Sequence, residues 1–494
     1  MKKFIVIGAG LGGISAAVSL KTEGHDVVIF EKNSHTGGRL NIHSEEGFSF
    51  DLGPSIIIMP EIFRELFRKA GKKLENYMTF EELNPQWRNF WPDGTVLDLH
   101  SEISAMEKEL RRLGPDAGDG FFNYVEYSRK LFNYAEKSYF KPGNDTFTSF
   151  VKNQKLLDIA TKTEFYRSMQ SGVDKFVKNP YLRDMLGFFI KYVGSSSHDA
   201  PGVLNLLLYS QLEGGLQYVK GGLYNMARGF SKLLSDIEIP VFHNSKVVEI
   251  IRQGDLVKGV VLENGEKHFA DAVISNLEII PAMKTLLGND PKHVKKLDKF
   301  QPACSGLVIH LGVKGTYPQL THHNFFFSKS TADHFKTIFH DGKLPSDPTT
   351  YLVCPTVSDK SIAPEGHSII KILPHVPVLP EDGSLPDYRA LEERVYDKLE
   401  EMGLVDLRKR TVYKNVLTPA DIHSLYGSNR GAIYGVVSDL KMNLGFKAPR
   451  RSTMCRNLYF TGGSVNPGPG TPMVTLCGQI LSAEIINDIN KGEF

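Results

Sequence analysis

The chain has 494 residues, of which 41% are hydrophobic and 23% charged, with a mean hydropathy of −0.21. This length exceeds the size at which one hydrophobic core stops growing, so we expect a globular protein of two or three domains. A net charge of +2 excludes a typical nucleic-acid-binding protein, and four cysteines without a CxxC pair exclude a cysteine zinc site and indicate a reducing cytoplasm rather than a disulfide scaffold.

The first 31 residues predict a strand, a glycine turn, a helix and a second strand. The apolar run 4–7 suits a buried parallel strand, a helix is expected from Ile14 to about Gly24, and 27–30 form the next strand. The basic start and the uncharged run 4–20 also resemble a signal peptide, but four glycines in 8–13 favour a tight turn. Because no other apolar stretch is long enough to span a bilayer, any membrane contact is expected to be peripheral.

The turn after the first strand matches the dinucleotide-binding fingerprint GxGxxG, a weak signal alone but strong between a strand and a helix. In this pattern the glycines allow a tight turn, approach of the backbone to a pyrophosphate, and close packing of helix on strand, while the helix N-terminus favours the phosphate charge. An acidic residue at the end of the second strand would bind the adenosine ribose. The predicted cofactor contacts here are Gly8, Ala9, Gly10, Leu11, Gly12, Gly13, Glu31 and Lys32.

Two further segments shift the expected cofactor from NAD to FAD. Gly37-Gly38-Arg39 places a guanidinium, which matches phosphate geometry, directly behind Glu31, an extension that NAD-binding units do not usually carry. Asp51-Leu52-Gly53-Pro54-Ser55 predicts a rigid loop beside the flavin, although a simple Gly-Pro turn is the alternative. We therefore add Gly38, Arg39, Gly53, Pro54 and Ser55 to the cofactor contacts.

The middle of the chain predicts more sheet. A Pro-Asp-Gly turn within 90–97 indicates a hairpin. The segment 246–276 predicts strands at 247–251, 257–262 and 272–275, with turns at 254–255 and 264–265. Val247 and Asn276, at the two ends of this meander, are further predicted cofactor contacts.

Residues 121–192 predict a helical segment rich in aromatic residues. Twelve Lys/Arg against seven Asp/Glu give this segment a charge of +5, while the remainder of the chain is −3. Such a segment could dock on an anionic membrane, or it could be a helical cap with a solvated basic face; the sequence leaves both open.

The C-terminus repeats the pattern of strand, glycine loop and helix. The strand 458–460 is followed by glycine-rich loop 461–472 and by a helix expected over 474–489, whose N-terminus would stabilise negative charge on a reduced flavin. Gly462, Gly463, Pro472 and Met473 complete the predicted cofactor contacts. A structural turn is the alternative.

Strands of one nucleotide-binding domain thus lie at the beginning, middle and end of the chain. We expect an α/β protein with a discontinuous Rossmann-type FAD-binding domain, a sheet-containing substrate domain and a helical cap. The expected bounds are 1–75, 220–290 and 440–494 for the FAD-binding domain, 76–110 and 291–439 for the substrate domain, and 111–219 for the cap.

These motifs resemble those of the carotenoid desaturase and oxygenase family, the phytoene desaturase-like branch of the flavin amine oxidases. The likeness runs the full length, including 191–197, 218–222 and the C-terminal glycine loop. Segments 302–306, 322–327 and 428–435 resemble the diapocarotenoid oxygenases within it, and Val465-Asn466-Pro467-Gly468-Pro469-Gly470 departs from the desaturase loop. The resemblance implies FAD-dependent oxidation of a terminal methyl group of a thirty-carbon carotenoid to an aldehyde at the cytoplasmic face of a membrane.

The residues themselves say less about the substrate. A polyene carries no charge, so its site should be an apolar tunnel that orients one end against the flavin. Phe325, Phe326 and Phe327 are candidates for its wall, and His322, His323 and Asn466 are weak candidates for catalysis, without a visible partner. No metal site is expected.

Three interpretations remain open. The first is the methyl oxidase with molecular oxygen or a quinone as electron acceptor. The second is a diapophytoene-type or phytoene-type desaturase with the same cofactor. The third is a non-catalytic binding or escort protein on the same fold, against which the complete set of nucleotide-binding motifs argues.

Overall fold

The computed structural model describes residues 1–154, 163–288, 295–297 and 300–494. The strands are β1 Lys3–Ile7, β2 Asp26–Phe30, β3 Ile42–Glu45, β4 Phe48–Asp51, β5 Phe80–Glu82, β6 Trp87–Phe90, β7 Val96–Leu99, β8 Gln217–Val219, β9 Val241–Phe242, β10 Val247–Gln253, β11 Leu256–Leu262, β12 Lys267–Phe269, β13 Ala272–Ser275, β14 Ser305–Gly306, β15 Val308–Lys314, β16 His323–Phe326, β17 Thr350–Val353, β18 His367–Val376, β19 Thr411–Leu417 and β20 Leu458–Phe460.

The α-helices of the described residues are α1 Leu11–Thr22, α2 Glu61–Lys69, α3 Ile103–Arg112, α4 Pro115–Ser138, α5 Phe147–Asn153, α6 Met169–Phe176, α7 Pro180–Gly187, α8 Leu206–Gly214, α9 Tyr224–Asp236, α10 Ile279–Leu286, α11 Thr331–Phe339, α12 Tyr388–Glu401, α13 Leu407–Arg410, α14 Pro419–Tyr426, α15 Leu440–Asn443 and α16 Thr471–Lys491. A 3₁₀ turn, Phe188–Tyr192, follows α7.

A five-stranded parallel sheet gathers segments from across the chain in the order β20-β13-β1-β2-β9. The apolar side chains of β1 and β13 are almost completely buried. One face of the sheet packs on the helices α1, α9 and α16, and the other packs on the strands β10 and β11 and on α10. On one side α1 packs against α16, where the Ser15 hydroxyl donates to the Thr475 carbonyl at 2.6 Å. The predicted α/β fold class is thereby confirmed.

A second sheet of eight strands, with the main order β19-β15-β18-β17-β16-β6-β7, lies beside the helical segment. Its pairs are antiparallel except β16 with β6, and the predicted hairpin is β6 with β7. One face of β16 and β17 packs on α4, α7 and α8 in the largest hydrophobic cluster, which includes Trp87, Phe188 and Phe325. The other face packs on α12.

The predicted helical segment contains α4 to α7 among its described residues, while its residues 155–162 lie outside them. Within the described part of the chain, every helix is too short or too polar to cross a bilayer.

Several predicted element bounds were wrong. The first helix begins at Leu11 rather than Ile14, and the last runs from Thr471 to Lys491 rather than over 474–489, since helix N-termini begin within the glycine loops. The short strand β12 was missed. It completes the meander, while β13 leaves it to pair with β1 and β20.

Candidate active site

The carboxyl ends of four adjacent parallel strands bring the predicted nucleotide-binding residues to one edge of the sheet. Gly8 follows β1, Glu31 follows β2, Asn276 follows β13, and Thr461 follows β20. Ligands of open α/β sheets bind in the crevice at this edge. The sheet order therefore explains how residues more than 400 positions apart share one site.

The two glycine loops meet at this edge. A Cβ atom on Gly12 would lie 3.0 Å from the backbone nitrogen of Gly462 and 2.7 Å from the Asn276 Oδ1. A Cβ on Gly478 in α16 would lie 2.6 Å from the Gly12 carbonyl oxygen, so α1 and α16 are in backbone contact. Only residues without side chains allow this approach.

Both helix N-termini open into the same cavity. Their N-cap residues are Gly10 for α1 and Gly470 for α16, and neither provides a side-chain cap. The first turn of each helix also lacks an acidic residue. Exposed N–H groups and the helix dipoles make these termini suitable for a phosphate and for negative charge on a flavin.

Glu31 is held beside the first glycine loop. One carboxylate oxygen accepts the Ala9 N–H at 2.7 Å and the other accepts the Asn33 N–H at 2.8 Å. A Cβ on Gly13 would lie 2.2 Å from the Gly8 carbonyl oxygen, so this glycine is required for packing of α1 against the turn. Ala9 and Gly13 thus support the cleft from behind.

Arg39 fastens a distant loop. Its guanidinium donates to Glu278 at 2.7 Å and to the carbonyl oxygens of Ala432 and Ile433. Burial raises the pKa of Glu278, and Arg39 opposes that rise. Arg39 lines the cavity, but these contacts hold segment 432–433 rather than leave the whole guanidinium free for the predicted phosphate contact.

Lys371 on β18 fastens the loop that follows β4. Its ammonium group donates to the carbonyl oxygens of Asp51 and Gly53 and to the Ser55 hydroxyl. Burial lowers the pKa of Lys371 to about 8. The Asp51 carboxylate accepts the backbone N–H groups of Leu223 and Tyr224 at 2.7 and 2.9 Å, at the start of α9. The predicted rigid loop is therefore anchored by the eight-stranded sheet on one side and by the start of α9 on the other.

One cavity of about 840 Å³ extends from this cleft toward the eight-stranded sheet. Of the predicted cofactor residues, those that line it are Gly8, Gly10, Leu11, Gly12, Glu31, Lys32, Gly38, Arg39, Gly53, Pro54, Ser55, Val247, Asn276, Gly462, Gly463, Pro472 and Met473. Contact of each residue with a cofactor stays a prediction. The glycine cradle and the two uncapped helix termini fit a dinucleotide that carries negative charge.

The part of the cavity away from the glycine loops is mostly apolar. Helices α4 and α8 contribute Phe132, Leu206 and Leu207, and the sheet contributes Tyr351 and Leu373. Other residues of this part are Phe140, Lys191, Tyr192, Ser210, Val308, His375, Ile433 and Tyr434. Its few polar groups suit a long apolar ligand with one end that needs orientation.

The predicted tunnel residues Phe325, Phe326 and Phe327 do not line this cavity. Alternation along the strand puts Phe326 on the opposite face of the sheet, where it stacks on Phe90 with ring centroids 4.6 Å apart. Phe325 lies behind Tyr351, with centroids 4.9 Å apart, and Phe327 stacks on Trp91 at 4.8 Å. These phenylalanines support the cavity wall without forming its surface.

The catalytic candidates also lie outside the cavity lining. The His322 ring is bonded to the Ser358 hydroxyl at 2.8 Å, and the His323 ring to the Tyr351 hydroxyl at 2.7 Å. Burial lowers the pKa of His322 to about 3. Burial also lowers the pKa of His323 well below its ordinary value. Both rings are therefore neutral, packed groups, and the structure gives no support to their role in proton transfer.

Asn466 is a structural residue in this arrangement. Its side-chain oxygen accepts the Tyr139 hydroxyl at 2.7 Å and the Lys447 N–H at 2.9 Å. Its amide nitrogen donates to the carbonyl oxygens of Asp145 and Lys447. With both ends of the amide engaged, Asn466 ties the C-terminal loop to the helical segment.

Sequence reasoning missed the polar residues of the substrate end. Lys371 and His375 interrupt the otherwise apolar part 369–376 of strand β18, and this interruption was the signal that the sequence offered. Tyr351 and Tyr434 had no signal of this kind, because each becomes a cavity residue only through sheet pairing and the course of a loop.

Comparison with known proteins agrees with this geometry. Residues 11–475 match the family described as flavin containing amine oxidoreductase. The chain is 49% identical over 490 residues to a 4,4'-diapolycopene oxygenase of Methylomonas sp, with 99% of each chain covered. It is 46% identical over 486 residues to the 4,4'-diaponeurosporene oxygenase of Staphylococcus aureus (strain USA300), with 98% of each covered.

A solved structure of an oxidoreductase from Methanosarcina mazei shares the fold, with a TM-score of 0.64 at 17% identity over 97% of this chain and 99% of that one. The chain belongs to the flavin containing amine oxidoreductase family and is a flavin-dependent oxidoreductase. The predicted family is thereby confirmed.

Proposed function

We propose that this oxidoreductase uses FAD to oxidise a terminal methyl group of a thirty-carbon carotenoid, such as diapolycopene or diaponeurosporene, to an aldehyde. The observation that carries the proposal is the single cavity, which joins a dinucleotide cleft to a mostly apolar chamber. The two relatives at 49% and 46% identity bear oxygenase names, which favours this reaction over carbon–carbon desaturation.

FAD fits the cleft through complementary chemistry at its two ends. Glu31 lines the cavity and would bind an adenosine ribose, and the N–H groups at the α1 N-terminus would bind a pyrophosphate. The α16 N-terminus, with Pro472 and Met473, borders the same cavity and would stabilise negative charge on the isoalloxazine ring. The bound flavin supplies the redox chemistry, and molecular oxygen or a quinone would accept the electrons.

The protein's own contribution to the reaction is positioning. A polyene gives no hydrogen bond, so the apolar residues of α4 and α8 and the rings of Tyr351 and Tyr434 would orient its end by shape. Burial raises the pKa values of both tyrosines, so their hydroxyl groups stay protonated at neutral pH. The loop 53–55, held by Lys371, lines the cavity and would fix the cofactor against the substrate.

The experiment that tests the reaction supplies diapolycopene and ¹⁸O₂ to the FAD-loaded enzyme. The product aldehyde is reduced at once with borohydride, because the resulting alcohol does not exchange its oxygen with water. We expect an oxygenated product, and label in it identifies molecular oxygen as the source. A product that contains only additional double bonds would establish the desaturase alternative, and tight substrate binding without any turnover would establish the binding-protein alternative.

We also propose that the protein docks peripherally on the cytoplasmic face of a membrane, from which it takes its substrate. Apolar side chains are exposed on the helical segment and near it: Phe147, Tyr166, Met442 and Leu444. Phe147 and buried Phe446 are in ring contact, so these segments share one edge of the molecule. The exposed lysines 141 and 152 lie on the same segment as Phe147.

The docking proposal predicts that anionic vesicles bind the protein and that salt weakens this binding. Lys141→Glu with Lys152→Glu should weaken it further, by at least about thirtyfold, since each basic residue near an anionic surface contributes about 1 kcal/mol and both are lost. Lys258→Glu with Lys284→Glu, two changes on the nucleotide-binding side, serves as the control. Sedimentation with phosphatidylglycerol vesicles measures the effect, and equal binding of both double variants would refute this surface.

A further inference from the structure

Lys191 places an amine in the wall of the substrate cavity, inside a ring of aromatic side chains. It lies in the 3₁₀ turn Phe188–Tyr192, and its residue surface is only 5% exposed. The Nζ atom is 4.3 to 4.8 Å from the ring centroids of Tyr192, Trp87, Phe325 and Tyr351. These rings lower the cost of burying a cationic amine through cation–π attraction.

This amine differs from the other buried lysines of the described residues. Lys371 donates to three oxygen atoms, Lys398 to the Asp347 carboxylate at 2.6 Å, and Lys447 to the Val436 carbonyl oxygen. Within the same described part of the chain, the Nζ of Lys191 makes no hydrogen bond and no ion pair, and burial alone lowers the pKa of this lysine. Its donors are directed at rings and at the cavity.

The neighbouring polar groups do not use this donor. The Tyr192 hydroxyl donates to the Gln211 side chain at 2.6 Å, and the Tyr351 hydroxyl is bonded to His323 at 2.7 Å. His375, which also lines the cavity, is bonded to Tyr434 at 3.4 Å. A buried donor without an acceptor lacks the free energy of a hydrogen bond. A ligand with an oxygen atom at this point would recover that energy, whereas a hydrocarbon would not.

We propose that Lys191 is a positioning residue that binds the oxygen atom of a partly oxidised polyene, namely the hydroxyl group of an alcohol and the carbonyl group of an aldehyde. The inference rests on the proposed function, in which a methyl group reaches the aldehyde through the alcohol in two successive two-electron oxidations, the first of which inserts one oxygen atom. With molecular oxygen as the acceptor, the sum is R–CH₃ + O₂ → R–CHO + H₂O, so that O₂ takes up all four electrons. The amine donates a hydrogen bond in either protonation state, so the contact persists even though burial lowers the pKa of Lys191. The bond retains the alcohol for the second oxidation.

Lys191→Met tests this role, because methionine keeps the length and the ring contacts but has no donor. The FAD-loaded wild type and variant are given diapolycopene, and released alcohol and aldehyde are quantified. We expect the alcohol-to-aldehyde ratio to rise about tenfold, the factor that corresponds to one hydrogen bond of about 1.4 kcal/mol. Lys398→Met removes a buried lysine that lies outside the cavity lining, and it should leave the ratio at the wild-type value.

A binding measurement separates this inference from the proposed reaction. All-trans-retinal serves as an oxygen-bearing polyene, and its dissociation constant from the oxidised holoenzyme is measured by the shift of its absorption band. Lys191→Met should weaken retinal binding about tenfold, and the absorption band of bound retinal should lose the shift that the hydrogen bond to Lys191 causes. If the wild type fails to oxidise diapolycopene but this difference appears, the reaction is wrong and the Lys191 site stands. Equal retinal affinity and band position in wild type and variant would overturn the site.

Discussion

The two ends of the cavity differ in the structural elements that line them. At the cofactor end, two glycine loops and two helix N-termini line the cavity, and Gly12 approaches Gly462 closely enough to exclude any side chain. At the substrate end, side chains from helices α4 and α8 and from the eight-stranded sheet form the surface. A backbone-built site tolerates little change in residue volume, whereas a site of side chains can repack.

The largest expected effect therefore belongs to the cofactor end. Gly10→Val should reduce bound flavin to less than a tenth of the wild-type content, because its Cβ would lie 2.5 Å from the Asn276 Nδ2 and its methyl groups would occupy the pyrophosphate position. Flavin absorbance after gel filtration measures this. Gly118→Val, in α4 with no atom within 4 Å of an added Cβ, is the control. Stoichiometric flavin in the Gly10 variant would show that the cofactor lies elsewhere.

An intermediate effect is expected where the two ends are joined. Lys371→Met removes the donor that holds the loop 51–55, so flavin affinity should fall about tenfold, as for the loss of one or two hydrogen bonds. Titration of the stripped enzyme with FAD measures it. Lys414→Met is the control, because Lys414 lies two strands away on β19, is half-exposed and donates to Glu392 outside the cavity lining. This variant should change the affinity less than twofold.

Comparison of the wild type with Lys371→Met also tests how the stability of the protein depends on pH. The pKa of Lys371 is about 8 in the folded protein against 10.5 ordinarily, so only the unfolded chain holds this proton between these values. The free energy of unfolding of the wild type should therefore rise with pH across this window, relative to Lys371→Met, by about 3 kcal/mol. Urea unfolding at pH 8 and pH 10.5 measures the difference. A constant difference between the two proteins would contradict the buried, depressed state of this lysine.

The smallest effect is expected behind the cavity wall. His322→Gln should change kcat less than threefold, because the ring does not line the cavity and its pKa of about 3 keeps it neutral above pH 5. His375→Gln, within the lining, should raise KM more than His322→Gln does. Steady-state kinetics from pH 5 to pH 8 compare them. A pH step near 6.5 that disappears only in the His322 variant would return this residue to the catalytic candidates.

The meeting of the glycine loops, Glu31 and Arg39 at one cavity could be predicted because most of their determinants are consecutive. One strand and one helix set the spacing between Gly8–Gly13, Glu31 and Gly37–Arg39. The amino-acid sequence therefore determines how these residues lie relative to one another. The meeting of the two terminal loops followed from the same logic, since carboxyl ends of parallel strands share one edge.

The substrate end depended on tertiary structure. The aromatic run 325–327 was predicted as tunnel wall, but strand alternation and packing against neighbouring strands and helices buried all three rings behind the cavity. Tyr351 on β17 and Lys191 in the turn after α7 line the cavity instead. Arg39 lines the cavity as predicted, but its guanidinium contacts Glu278 and the Ala432 carbonyl oxygen, which the sequence did not indicate. By itself, the sequence determined the fold, the cofactor edge and the family, because each depends on local backbone conformation and short spacing. Only the tertiary structure decided which side chains face the cavity, because that depends on the register and packing of strands far apart in the chain.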